Sequence, residues 1–73
     1  MERLYEILEK NVPTVDFRTQ DRLVTDKLID SIDLVSIITD IEDEFGVSIN
    51  IEDIDPVNFD TAQAIWNLIN SLK

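Results

Sequence analysis

The residues with the clearest chemical potential are a serine and two aspartates in the run LIDSID. Ser31 lies between Asp30 and Ile32, and Asp33 follows two residues later. A serine hydroxyl becomes a good nucleophile when a neighbouring base takes its proton, and the chain contains no His for that role. Ser31 is therefore not expected to act as a catalytic nucleophile, and any modification of its hydroxyl must be carried out by a separate enzyme.

The element that positions Ser31 is predicted by the apolar residues after it. They recur at helical spacing and predict a helix over about residues 31–45 with one buried face. The members of this face are Leu34, Ile37, Ile38, Ile41 and Phe45. Asp30 is a suitable N-cap, and Gly46, the only glycine, suits a left-handed residue after the helix end. Ser31 is then exposed at a helix start, where the backbone favours a negative group such as a phosphate ester.

Two more helices and a short turn are predicted around this helix. The first helix covers about residues 2–11 and ends before Pro13. Residues 12–30 form a long connection, and its apolar residues predict that it lies over the core. Asn50 is expected to cap a brief turn that Pro56 ends or bends. Asp60 or Thr61 caps a last helix, with its buried side at Ala62, Ile65, Leu68, Ile69 and Leu72 and with Trp66 beside it.

The fold class that follows is all-α. No run of residues predicts a strand with a partner. We expect one domain over residues 1–73, a small four-helix bundle with three main helices, one short helix and a long first loop.

The charge is strongly acidic and unevenly distributed. The chain has 6 basic and 16 acidic residues, a net charge of -10, and from Leu28 onward Lys73 is the only base. This argues against partners such as nucleic acid or anionic membranes and favours proteins with basic surfaces.

No apolar run reaches the ~20 residues that a membrane span needs, and the N-terminus is not a secretion signal. We expect a cytoplasmic monomer without membrane insertion, and no metal site, since Cys and His are absent and no calcium-loop spacing occurs.

Three stretches of the sequence resemble the acyl and peptidyl carrier proteins. Asp30-Ser31-Ile32 is similar to the family's Asp-Ser-Leu motif. The run DSIDLVSIITDIEDEFGVSI resembles its recognition helix, and NFDTAQAIWNLI resembles its last helix. The resemblance is firm from Leu28 to the end and looser before it.

The resemblance implies a four-helix bundle of the acyl carrier protein type with no catalytic activity of its own. A phosphopantetheinyl transferase would attach 4'-phosphopantetheine from coenzyme A to Ser31, with Asp30 as part of the motif. The thiol of this arm would hold an acyl or aminoacyl group as a thioester. The implied partners are that transferase, a loading enzyme and downstream pathway enzymes.

The pathway stays open between fatty-acid, polyketide, nonribosomal peptide and D-alanylation systems. Leu28 stands where the family often has glycine, Ile32 replaces the usual leucine, and Ser36 stands where fatty-acid carriers often have glutamate. Leu-Ile-Asp-Ser is closer to carriers that serve amino-acid activation, such as D-alanyl carrier proteins, or to carriers of specialised pathways.

A docking surface for basic partners is predicted on the helix that follows Ser31. This helix has no Lys or Arg to balance its acids. The surface comprises Ile32, Asp33, Val35, Asp40, Glu42 and Asp43, with the two apolar residues as anchors.

Two other functions and one plainer interpretation stay open. The acids can form an ordinary solvated face, and Ser31 can serve only to cap the helix. An interaction module would use the same helix without a prosthetic group. An autonomous enzyme would depend on carboxylates such as Asp30 and Asp33, whose i, i+3 spacing is more typical of a cap and a surface residue.

Overall fold

The computed structural model describes residues 1–73 and consists of helices and their connections. The elements are α1 Glu2–Asn11, α2 Ser31–Phe45, a 3₁₀ turn Ile51–Asp53, α3 Pro56–Phe59 and α4 Ala62–Leu72. Helix α1 packs against α2 and α4, and α3 packs against α4. The predicted all-α four-helix architecture and the bounds of α1 and α2 are confirmed. No helix combines the length and apolar character needed to cross a membrane.

Each main helix buries one apolar face, and those of α2 and α4 are the faces that their spacing predicts. The buried residues of these helices are Leu4, Ile7, Leu8, Ile37, Ile41, Ala62, Ile65, Leu68 and Ile69. The other predicted members of these faces are half-buried and pack against this core; they are Leu34, Ile38, Phe45 and Leu72. The ring of Trp66 meets that of Phe45 edge-on, with the ring centroids 5.7 Å apart, and both rings pack against the core.

The long connection before α2 contributes part of the core. Phe17, Leu23 and Ile29 are buried, and Val15, Val24 and Leu28 pack against the core while half-buried. The prediction that this segment lies over the core is therefore confirmed. Its burial explains how a connection of this length remains ordered in so small a domain.

Both ends of α2 are capped as predicted. The carboxylate of Asp30 accepts a hydrogen bond from the backbone N–H of Asp33 at 2.7 Å. Gly46 has a φ of 66°, and its N–H donates to the carbonyl of Glu42 at 3.0 Å. These caps satisfy backbone groups that a helix otherwise leaves without partners.

The segment between α2 and α4 differs from the prediction. The Asn50 side chain makes no capping bond, and the turn after it is a 3₁₀ turn that ends at Asp53. Pro56 does not end this turn; it begins α3, because a proline lacks only an N–H that the first helical turn leaves unpaired. Asp55 caps α3 by accepting from the N–H of Asn58 at 3.1 Å.

The last helix is capped by one of its two predicted candidates. Thr61 Oγ1 accepts from the N–H of Ala64 at 2.9 Å. The Asp60 carboxylate does not cap α4; it accepts hydrogen bonds from Val24 and Thr25.

Replacing Gly46 by Ala is expected to lower the free energy of unfolding by about 1 kcal/mol, because the left-handed conformation is unfavourable for an L-residue. An added Cβ at Gly46 would meet no atom within 4 Å, so the cost is one of backbone conformation and not of crowding. Urea denaturation measures the change. Gly46→Asn is the control and should lose less, since Asn tolerates this conformation better. Equal stability of the Gly46→Ala and wild-type proteins would contradict the assignment.

Candidate functional site

Ser31 is the first residue of α2, and its side chain is exposed. Its hydroxyl makes no hydrogen bond within the protein. The backbone N–H groups of Ser31 and Ile32 likewise have no acceptor in the chain, since the capping carboxylate of Asp30 reaches Asp33. A free hydroxyl thus lies at the positive end of a 15-residue helix.

These surroundings fit a phosphate ester at Ser31. The hydroxyl is accessible, and the two N–H groups beside it can donate to phosphate oxygens. The neighbouring carboxylates of Asp30 and Asp33 oppose an anion, so reversible phosphate binding is disfavoured here. A covalent bond removes that difficulty, because the group then stays in place without a favourable binding equilibrium.

A helical turn leads into the site from the N-terminal side. The N–H of Asp26 donates to the carbonyl of Arg22 at 2.9 Å, and that of Lys27 donates to Val24 at 3.0 Å. Lys27 then has a φ of 59° and is the only non-glycine residue with a positive φ. Leu28, at the position where the carrier family often has glycine, packs against the core.

The same turn is bonded to the junction between α3 and α4. The Asp60 carboxylate accepts from Thr25 Oγ1 at 2.6 Å and from the N–H groups of Val24 and Thr25, each at 2.9 Å. These bonds, that of the Thr25 hydroxyl first, hold the pKa of Asp60 below its ordinary value. From the sequence, Asp60 is expected only as a helix cap, because its partners lie about 35 residues away in the chain.

Apolar side chains remain exposed beside Ser31. Ile32 is 76% exposed and Val35 is 64% exposed. Ser36, Thr39 and Asp43 are also exposed on α2. Two further exposed apolar residues after α2, namely Ile51 and Val57, were not predicted from the sequence.

The acids of α2 fall into two groups. Three of them have partners inside the protein. Asp40 accepts from Asn11 Nδ2 at 2.9 Å and lies 3.3 Å from Lys10 Nζ. Glu42 accepts from the N–H of Ile49 at 2.9 Å, and Glu44 pairs with Arg3. The carboxylates of Asp33 and Asp43 make no such bond. Bases on α1 thus balance part of the charge of α2, although α2 itself has no Lys or Arg. Spacing within one helix could not reveal these partners.

The comparison with protein families supplies the remaining observation. A family model described as "Phosphopantetheine attachment site" matches residues 3–69. The chain belongs to this family. The comparisons with curated proteins and with solved structures found no match.

Membership establishes the cofactor and the general role. The carrier holds 4'-phosphopantetheine covalently on a serine, as the resemblance implied. Carrier domains of this kind are in general non-catalytic, and the group they bear presents a substrate to enzymes. No set of three or more acidic residues in this carrier is arranged to hold a metal ion.

Replacing Asn11 by Ala is expected to raise the pKa of Asp40. The hydrogen bond from the Asn11 amide is the largest cause that lowers this pKa, followed by the contact with Lys10. NMR titration of the Asp40 carboxyl carbon measures this pKa. Asn67→Ala is the control, because it removes a side-chain amide on α4 that makes no bond to Asp40. An unchanged pKa in Asn11→Ala would contradict the assigned contact.

The same shift gives stability a pH dependence of known sign. The pKa of Asp40 is lower in the folded protein than in the unfolded chain, so the contact stabilises the fold above the unfolded-state pKa. This contribution is lost as the pH falls through the folded-state pKa. The stability difference between wild type and Asp40→Asn should therefore shrink at acid pH, as urea denaturation at several pH values will measure.

Proposed function

We propose that Ser31 is the attachment residue and that residues 1–73 act as one carrier domain. The observation that supports this is the free, exposed hydroxyl of Ser31 at the start of α2, within the Asp30-Ser31-Ile32 motif. The other serines lack this setting. Ser36 lies within α2, Ser48 lies in the link after it, and Ser71 Oγ donates to the carbonyl of Leu68.

We propose that an external phosphopantetheinyl transferase carries out the attachment, because the chain contains no His to take the serine proton. The Ser31 oxygen attacks the phosphorus of coenzyme A nearest the pantetheine, and a new O–P bond forms. The pyrophosphate bond breaks, the nucleotide part leaves with the electron pair, and the serine proton passes to a base of the transferase. When bound, the group supplies a thiol that holds an acyl or aminoacyl group as a thioester.

The surface beside Ser31 is the proposed docking site for the transferase, the loading enzyme and downstream enzymes. Ile32 and Val35 are its exposed apolar anchors, with Asp33 and Asp43 as acids without internal partners. Asp40 and Glu42 lie at its edges, where their internal bonds hold them in place. Basic patches on partners complement these acids, and the net charge of -10 attracts such partners from a distance.

The wider setting that we propose is a monomeric carrier in the cytoplasm, where coenzyme A is made and used. The cargo class is an acyl or aminoacyl group. Fatty-acid, polyketide, nonribosomal peptide and D-alanylation systems all load carriers with such groups.

Incubating the protein with coenzyme A and a phosphopantetheinyl transferase should add the mass of one phosphopantetheine. Ser31→Ala should gain nothing, because the acceptor oxygen is gone, while its circular dichroism stays that of the wild type. Ser36→Ala is the matched control, an exposed serine on the same helix that should leave the mass gain intact. Intact-mass spectrometry followed by peptide mapping locates the adduct. A mass gain in Ser31→Ala, or none in the wild type, would contradict the proposal.

Replacing Ile32 or Val35 by Ala should lower the kcat/KM of the transferase, mainly through a higher KM. Loss of one buried apolar anchor costs about 1–2 kcal/mol, or roughly tenfold in kcat/KM. Val57→Ala is the matched control, since Val57 is as exposed as these residues but lies on α3. Equal rates for all three variants and the wild type would remove Ile32 and Val35 from the surface.

A further inference from the structure

Asp60 binds three consecutive residues of the first connection. In addition to the carboxylate bonds to Val24 and Thr25, the Asp60 carbonyl accepts from the N–H of Leu23 at 2.9 Å. The Thr25 hydroxyl bond, at 2.6 Å, is the shortest of these. A carboxylate that accepts from three donors forms charge-assisted bonds, which are stronger than neutral ones.

These bonds continue along the chain to Ile29. Leu23, which donates to Asp60, also accepts from the N–H of Leu28 at 2.8 Å and from that of Ile29 at 3.1 Å. Leu23 and Ile29 are both buried, so this crossing is fixed by packing as well as by hydrogen bonds. Ile29 lies two residues before Ser31. A continuous series of hydrogen bonds and buried side chains therefore leads from the α3–α4 junction to Ile29, close to the start of α2.

The backbone N–H of Asp60 ends α3 by donating to the carbonyl of Pro56 at 2.9 Å, but its side chain has no role in that part of the fold. Thr61 caps α4, and Asp55 caps α3. The charged group that faces Asp60 from the connection is Arg22, whose attraction favours the ionised carboxylate. All the side-chain hydrogen bonds of Asp60 are thus directed at the connection.

We propose that Asp60 is a positioning residue for the attachment reaction. It holds the segment from Leu23 to Ile29 against the α3–α4 end of the bundle and so determines where Ser31 lies when the transferase engages it. Asp60 acts through Leu23 and Ile29 and touches neither Ser31 nor the incoming group. This inference rests on the proposed attachment at Ser31.

Three variants remove the contact in steps. Asp60→Ala removes every side-chain bond, Asp60→Asn keeps an oxygen for the two N–H groups but loses the charge, and Thr25→Val removes only the hydroxyl bond. Asp55→Ala is the matched control, because it removes a carboxylate cap from the neighbouring turn that makes no bond to the first connection. Each variant is measured under conditions where circular dichroism shows it folded.

Two readouts separate positioning from general stability. One is the kcat and KM of transferase-catalysed attachment, and the other is hydrogen–deuterium exchange at the N–H groups of Leu28 and Ile29. A misplacement of ~1 Å can cost up to ~100-fold in rate, so we expect Asp60→Ala to lose about tenfold or more in kcat/KM. Asp60→Asn and Thr25→Val should lose less, and Asp55→Ala should stay near wild type. Exchange at Leu28 and Ile29 should accelerate in Asp60→Ala and not in Asp55→Ala.

The outcomes that overturn the inference differ from those that overturn the attachment proposal. If wild-type protein gains no mass, attachment at Ser31 is wrong and the positioning role fails with it. If wild type is modified but Asp60→Ala matches Asp55→Ala in kcat/KM or in exchange, the positioning role alone is wrong. Should Asp60→Ala not fold, Asp60→Asn and Thr25→Val are compared with Asp55→Ala in the same two measurements, and a match again overturns the positioning role.

Discussion

Ile37 and Ile41 have no exposed surface, and their burial fixes the orientation of α2 in the bundle. Burying a side chain of this size contributes about 1.5–3 kcal/mol to the stability of the fold. Burial of this face therefore outweighs the cost of leaving fewer apolar atoms exposed to water on the opposite face of α2. Because a helix is rigid, turning these two residues inward turns Ile32 and Val35 outward. The exposed apolar residues beside Ser31 are thus a consequence of core packing as well as a surface for partners.

The charges of this carrier are arranged by the same packing. Contact between α1 and α2 brings Arg3 and Lys10 against Glu44 and Asp40, which removes part of the repulsion along α2. Exposed ion pairs of this kind contribute little to stability individually. Their effect is to leave the remaining negative potential on the faces of α2 that do not touch α1. The negative charge of the domain is therefore concentrated on these faces and is not evenly distributed.

Features set by neighbouring residues could be predicted from the sequence. The helical spacing from Leu34 to Phe45, the cap at Asp30 and the left-handed Gly46 are all local patterns, and each is present in the structure. The four-residue α3 is too short to show a period, and Pro56 can equally end or begin a helix.

Features set by distant residues could not be predicted in the same way. Asp60 and Thr25 are 35 positions apart, and Asn11 and Asp40 are 29 apart. Nothing in the local sequence around either partner indicates such a bond. Whether Asp60 or Thr61 caps α4 depends on this distant contact, since the carboxylate that bonds to the connection is no longer available to the helix.

The aromatic contact at the other end of α2 gives this carrier a built-in optical signal. Trp66 is the only tryptophan, and its ring meets that of Phe45, the last residue of α2. A helix of this length places Phe45 about 21 Å along the axis from Ser31. The indole emission consequently reports whether α4 is docked against the end of α2 that lies opposite Ser31. One fluorescence trace can therefore follow the folding of the domain.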